Sequence, residues 1–332
     1  MTRAADRSAL VTGGTGFIGS HLVRRLVTDG WRVHVLVRGN AAASRLESVR
    51  QPLTVHGGDI LDFAAVAEAV RRAKPAVIFH LAGRTDLRRQ CRPAAAEASV
   101  AVNLMGTLHV LRAAAEDGAG VRRVVRAGGL EEYGDGPSPS LEDQREQHVS
   151  AYSASQVAAT HFCQMLQRQL AIEIVTLRPA LAYGPAQSTD FLIPSLIAHC
   201  LEGKDFALTS GAHGRDLIFV EDLVDAFLRA AVTPALAGAV INVGSGREYS
   251  MQAVAETVIR LAGAKIRLAP GPASPRAADL SHLAGEVGKA VALLGWAPTT
   301  ALEEGLRRTI AWYREHGTHG ALAAASGNAG AR

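Results

Sequence analysis

Thr12-Gly13-Gly14-Thr15-Gly16-Phe17-Ile18-Gly19 is the stretch on which the reading of this chain turns. It follows the apolar run Ala9-Leu10-Val11 and precedes a helical segment, His21 to Asp29. A strand, a glycine turn and a helix are expected in that order. The glycines allow a tight turn and a close approach of backbone to a ligand. A helix opening on such a turn offers free N–H groups and the positive end of its dipole to an anion, and a pyrophosphate suits that arrangement. A glycine-rich turn alone is weak evidence; this one has the required strand–turn–helix context. Gly13, Thr15, Gly16, Phe17, Ile18 and Gly19 are therefore candidate dinucleotide-binding residues.

Outward from this loop, short apolar runs alternate with helical patterns. Residues 33–37, 53–55, 76–79, 123–125 and 173–177 read as strands, and residues 63–73, 98–116 and 152–170 as helices. The alternation predicts an α/β fold, a doubly wound parallel Rossmann sheet with helices on both faces. Beyond Pro179 the elements shorten and Pro and Gly become frequent, although residues 240–243 read as one more buried strand. The expected division is a dinucleotide-binding domain, residues 1–180 plus 216–246, and a smaller interleaved C-terminal substrate domain, residues 181–215 plus 247–318. Residues 319–332, rich in Ala, Gly and Ser, are expected to form a disordered tail.

Composition narrows the function classes. With 332 residues, 48% of them hydrophobic, the chain can bury a large core. Its formal charge of +4 comes without a run of Lys and Arg, which argues against nucleic acid and suits an anionic small molecule. Cys91, Cys163 and Cys200 are odd in number and lack a CxxC spacing, so neither a disulfide framework nor a metal site is expected. No apolar stretch approaches the roughly 20 residues that span a membrane, and a cytoplasmic protein is expected.

The glycine stretch extended to Leu22 resembles the fingerprint of the extended short-chain dehydrogenase/reductase family, whose members work mostly on nucleotide sugars. The resemblance continues in family order through Gly58-Asp59-Ile60, His80-Leu81-Ala82-Gly83, Asn103 to Thr107, Tyr133-Gly134, Tyr152, Leu177-Arg178-Pro179, Tyr183-Gly184-Pro185, Arg215-Asp216 and Leu294-Gly295-Trp296. It implies a nicotinamide cofactor, with Asp59 on the adenine amino group, Ile60 on its ring, and Leu81, Ala82 and Gly83 along the cleft. It implies a structural role for Asn103, and a homodimer formed through a helix bundle that includes residues 160–170.

The choice of cofactor turns on the end of the second strand. An acidic residue there binds the ribose 2′-hydroxyl of NAD. Here Val37 is followed by Arg38, which suits a 2′-phosphate, with Ser44 and Arg45 near in sequence. The reading favours NADP(H), with NAD(H) as the alternative.

The resemblance also locates the reacting groups. The family carries a Tyr and a Lys four residues apart on one helix face, and a Ser or Thr four residues before a Tyr-Gly pair. Tyr152 is present, but the Lys position is Gln156 and the Ser/Thr position is Gly129. Gln156 can still hydrogen-bond a ribose but cannot stabilise a tyrosinate, so the sequence favours reduction over oxidation. Candidates to replace the lost hydroxyl are Thr85 and a backbone N–H near Gly128 or Gly129. Glu131 stands where the family's sugar 4,6-dehydratases carry a Glu used in water elimination, although a pocket-wall carboxylate is an equal reading.

For the substrate, the resemblance implies a nucleoside diphosphate between the domains, met by Phe191, Arg215 and Arg276. Asp86 and Arg88 lie in the loop expected to face it. The first expectation is NADPH-dependent reduction of a nucleotide-activated 4-keto-deoxysugar. The alternatives are a nucleotide-sugar 4-epimerase or 4,6-dehydratase holding NAD tightly, and a degenerate member that binds nucleotide or does non-redox acid–base chemistry.

Overall fold

The computed structural model describes residues 7–39, 43–49, 53–85, 93–209, 211–271 and 280–317. The chain begins β1 (Ser8–Thr12), α1 (Phe17–Thr28), β2 (Arg32–Val37), α2 (Ala43–Leu46), β3 (Leu53–Gly57), α3 (Phe63–Ala73) and β4 (Val77–His80). A long helix follows: α4 (Pro93–Ser99), a π-helical turn over Val100–Met105, and α5 (Gly106–Ala114). Next come β5 (Arg123–Ala127), α6 (Ala151–Gln167), β6 (Glu173–Pro179) and β7 (Leu181–Tyr183). The remainder is α7 (Leu192–Glu202), β8 (Phe206–Leu208), β9 (Gly214–Phe219), α8 (Val220–Val232), β10 (Val240–Val243), β11 (Glu248–Ser250), α9 (Met251–Ala262), β12 (Leu268–Pro270), β13 (His282–Leu283), α10 (Gly288–Leu294) and α11 (Leu302–His316).

Seven parallel strands make the central sheet, ordered β10-β6-β5-β4-β1-β2-β3. Leu22, Val23 and Leu26 of α1 and Leu223, Val224 and Phe227 of α8 bury one face. Val66 and Val70 of α3, Val110 and Leu111 of α5 and Cys163 of α6 bury the other. Strands covered on both sides must be apolar throughout, which is why β1, β4 and β10 read as continuous hydrophobic runs. The chain order reverses between β1 and β4, and the glycine loop leaves β1 at that switch point, where open α/β sheets bind ligands.

A second unit holds a small sheet of β7, β9, β11 and β13, the pair β8–β12, and the helices α7, α9 and α11 around their own core. β9 runs unbroken across the position at which the sequence reading divided the two domains, and it pairs wholly within the small sheet.

Two local expectations change. Helix α1 starts at Phe17 rather than His21, so the helix opens directly on Gly16. Pro93–Ala114 is long and apolar enough, by length and composition, to cross a membrane. Within it, however, Asn103 and Thr107 are buried and hydrogen-bonded to neighbouring elements, as befits an internal helix of this sheet.

Candidate functional site

The glycine loop is shaped by close backbone contacts. Gly13 has φ 70°, and a Cβ there would lie 2.6 Å from the backbone of Leu81 and Ala82. The loop after β1 and the extension of β4 thus meet main chain to main chain. Gly16 donates its N–H to Gly13 O at 2.9 Å, and no side chain caps α1. The first N–H groups of α1 are left to a ligand, as a pyrophosphate cradle requires.

The floor beside the loop is a buried chain of hydrogen bonds. Thr12 Oγ1 lies 2.7 Å from His80 Nδ1, and His80 Nε2 lies 3.0 Å from Thr107 Oγ1. Thr107 spends its own hydrogen on Asn103 O at 2.6 Å, so His80 must carry its proton on Nε2. Burial pushes the His80 pKa down to about 3, which keeps the ring neutral.

Asp59 Oδ1 accepts the Leu61 N–H at 2.9 Å, and Asp59 Oδ2 lies 3.9 Å from Arg38 Nη1. Ile60 is buried against Gly106 of α5. Arg45 does not join Arg38. It donates to Thr15 O at 3.2 Å and to Ala186 O at 3.1 Å, bridging the glycine loop to the second unit. The Ser44 side chain lies outside the described residues.

Tyr152 and Gln156 share one buried face of α6. Ser150 caps that helix by accepting the Ser153 N–H at 3.0 Å. Asn103 places it against the cleft: its Nδ2 donates to Ser155 Oγ at 2.9 Å, and its Oδ1 accepts the Arg84 N–H at 2.7 Å.

Opposite Tyr152 stands Gly129. A Cβ on Gly129 would lie 3.3 Å from the Tyr152 hydroxyl but only 2.7 Å from Glu131 Oε2. The volume a Ser or Thr side chain would use is therefore taken by the Glu131 carboxylate. Neither expected backbone substitute is free. Gly128 N–H goes to Leu177 O at 2.7 Å, and Gly129 N–H to Glu132 Oε1 at 3.2 Å. Thr85 is exposed on the loop after β4. Burial holds the Glu131 carboxyl above the usual range, partly opposed by the charge of Arg215 across the cleft. Burial likewise raises Tyr152, reinforced by the negative charges of Glu131 and Glu132; Arg126 and Gln156 pull it down. Gly129→Ser should therefore lower activity rather than restore a family hydroxyl, because the new Cβ displaces Glu131. Kinetics of that variant check this; a gain in turnover would contradict it.

Beneath these groups lies a buried polar network that the sequence reading missed. Glu132 Oε2 accepts from Thr160 Oγ1 at 2.7 Å and from Arg178 Nε at 2.9 Å. Arg178 reaches Glu146 Oε1 at 2.8 Å and lies over the Tyr133 ring, whose hydroxyl donates to Asn242 Oδ1 at 2.6 Å. Arg126, on β5, donates to Thr160 Oγ1 at 2.9 Å, to Gln156 O at 3.2 Å and to Gln156 Oε1. The available signal was a charged residue at 126 and another at 178, each within a strand buried on both faces.

Of the expected substrate residues, Phe191 precedes α7, and Arg215 on β9 donates to Gly214 O at 2.7 Å, its charge lowering Glu131. Its neighbour Asp216 accepts from Ser245 and Gly246, fixing the turn after β10. Asp86, Arg88 and Arg276 lie outside the described residues, as does the tail.

A family model described as the NAD dependent epimerase/dehydratase family matches residues 9–244. The chain is 33% identical over 316 residues to a UDP-glucose 4-epimerase of Mycolicibacterium smegmatis, covering 92% of this chain and 98% of that one. It is 30% identical over 347 residues to a dTDP-glucose 4,6-dehydratase of Neisseria gonorrhoeae, covering 96% and 99%. Among solved structures, a Thermus thermophilus UDP-glucose 4-epimerase in complex with NAD superposes with a TM-score of 0.82 at 27% identity, covering 92% and 98%.

Proposed function

Since this chain belongs to the NAD-dependent epimerase/dehydratase family, a group of oxidoreductase-type enzymes, we propose that it is a nucleotide-sugar 4-epimerase that reversibly oxidises C4 of the hexose. The observation that carries this reading is that the Glu131 carboxylate and the Tyr152 hydroxyl flank one point, 2.7 and 3.3 Å from where a Cβ on Gly129 would stand. Without a lysine, a tyrosine alone is a poor base, which made the sequence favour reduction. A carboxylate whose proton affinity is raised by burial supplies the missing acceptor.

The cleft fits a dinucleotide: the uncapped start of α1, the Gly13 contact with Leu81 and Ala82, and Asp59 provide phosphate, backbone and adenosine contacts. A bound nicotinamide supplies the reversible hydride acceptor. Tyr152 takes the proton of the C4 hydroxyl as it passes its own to Glu131, and both return when C4 is reduced from the other face. Gln156 and Asn103 hold the Tyr helix and the cleft edge, and Arg215 meets the diphosphate.

NAD is the proposed cofactor. Arg38 has the Asp59 carboxylate 3.9 Å away, which partly cancels its attraction for a 2′-phosphate, and the Thermus relative is a complex with NAD. Two observations support the remaining expectations. Cys163 and Cys200 are buried free thiols, as suits a cytoplasmic protein. Phe162 and Met165 on α6 and Val100 and Met105 on the neighbouring helix are apolar yet 40–43% exposed, as suits a homodimer joined through these helices. Phe162→Arg with Met165→Glu should yield monomers by sedimentation; a dimer unchanged by the pair would contradict that assembly.

The second reading is 4,6-dehydration, which the position of Glu131 also favours; NADPH-dependent reduction, the expectation from Arg38, comes after it. One experiment separates them. The protein is denatured to identify any dinucleotide it carries, then incubated with UDP-glucose or dTDP-glucose and the products read by NMR. A galacto-configured product supports epimerisation, and a 4-keto-6-deoxy product supports dehydration. No conversion of either sugar, with a keto-sugar reduced by added NADPH, would replace both by the reductase.

A further inference from the structure

Arg126 is 1% exposed on a central strand and sits against α6 at the level of Gln156. A guanidinium has only donors, so the Gln156 amide can face it in one way, with Oε1 toward Arg126. Its Nε2 is thereby turned to the other side. There it lies 3.7 Å from where a Cβ on Gly83 would stand, at the edge of the dinucleotide cleft. Gln156 thus points a hydrogen-bond donor where the family's lysine ammonium belongs, backed by a full positive charge.

That charge is only partly offset by its counter-ion. The nearest carboxylate oxygen, Glu132 Oε1, is 4.0 Å from Arg126 Nη1. Glu132 is engaged more closely by Arg178, at 2.8 Å, by Thr160 and by the Gly129 N–H. Arg178 in turn shares itself with Glu146. The charges that act on Tyr152 are Glu131 and Glu132, which raise it, and Arg126, which lowers it; Arg215 in turn lowers Glu131.

We propose that Arg126 is a positioning residue that replaces the absent lysine from below: through the Gln156 amide it orients the donor for the nicotinamide ribose and supports Tyr152 when its proton leaves. The second half rests on Tyr152 acting in proton transfer as proposed above; the first does not. The cation has moved from the helix to the strand beneath it, and a lysine at 156 would crowd the guanidinium.

The test is a charge transplant: Arg126→Met, Gln156→Lys, both together, and Gln156→Glu. Dinucleotide affinity is measured by nicotinamide fluorescence or calorimetry, and the pH profile of C4 chemistry separately. Arg126→Met should weaken dinucleotide binding about 10- to 100-fold, the range for a charged hydrogen bond, and shift the profile to higher pH. Gln156→Lys alone should also lose affinity through repulsion. The double variant should recover most of both losses, since a single cation then stands in the lysine's place. Gln156→Glu keeps Arg126 paired and the packing intact but removes the donor, and should lose affinity by a similar factor even if Arg126→Met does not fold. Losses that simply multiply in the double variant, or wild-type affinity in Gln156→Glu, would overturn the proposal. If the affinities follow the transplant pattern while the wild-type protein converts no sugar, the epimerase reading fails and the positioning role of Arg126 stands.

Discussion

Glu131→Gln is expected to lower turnover by about 10²- to 10⁴-fold, the range for loss of an acid–base group, while making the protein more stable. The substitution is nearly isosteric and leaves the Gly129 pocket filled, so a loss of activity reports the proton and not the shape. Burial raises the Glu131 pKa in the folded protein. The fold therefore prefers the protonated acid. That preference does no harm below the carboxylate's unfolded pKa, and stability falls as pH rises from there toward the raised folded value. Near neutrality an ionised Glu131 costs stability that Gln would not. Thermal melts should show the variant above wild type at neutral pH, with the gap closing in mild acid. Retained turnover, or a variant less stable at neutral pH, would show that the carboxylate belongs to the pocket wall.

Arg178→Met is the second large effect, on stability. Arg178 is 1% exposed and binds both Glu132 and Glu146. Removing one member of a buried ion pair strands the other, at a typical cost of about 3–5 kcal/mol. The stranded Glu132 would keep Thr160, the Gly129 N–H and the more distant Arg126, but lose its closest charge. Denaturant unfolding measures this directly. A loss under about 1 kcal/mol, as for an exposed pair, would mean that water reaches Glu132 and that the network is not dry. Because Glu132 also raises Tyr152 and faces Arg126, the variant should disturb the site as well as the fold.

How much of this was legible in the sequence follows from how local each constraint is. The glycine loop was readable because its demands are steric and lie within eight residues: the positive φ of Gly13 and the need for an uncapped helix start. The strands were readable because a two-sided sheet leaves no room for alternation. The site was half readable. Tyr152, Gln156 and Gly129 could be placed by spacing, and the two departures from the family pattern were visible. Their reason was not, because it depends on contacts between separate elements. Gly129 looked like a lost hydroxyl, yet the chain folds the Glu131 carboxylate back over it. Gln156 looked like a lost charge, yet its partner Arg126 sits thirty residues earlier, on the strand beneath. Arg45 was near Arg38 in sequence but is held away from it by carbonyls at 15 and 186, the second from another unit of the fold. A charged residue inside an apolar strand was the one local sign that such partners exist.

Oxidation of C4 of a nucleotide sugar in this cleft would show itself in the near-ultraviolet absorbance of reduced nicotinamide in single turnover. The protein loaded with NAD is mixed with UDP-glucose, or with the same sugar deuterated at C4, and followed by stopped flow. A transient of reduced nicotinamide is expected that forms more slowly with the deuterated sugar and is absent in Glu131→Gln. A protein that holds NAD and binds the sugar but gives no reduced nicotinamide, and no change at C4 of the recovered sugar, would contradict C4 oxidation.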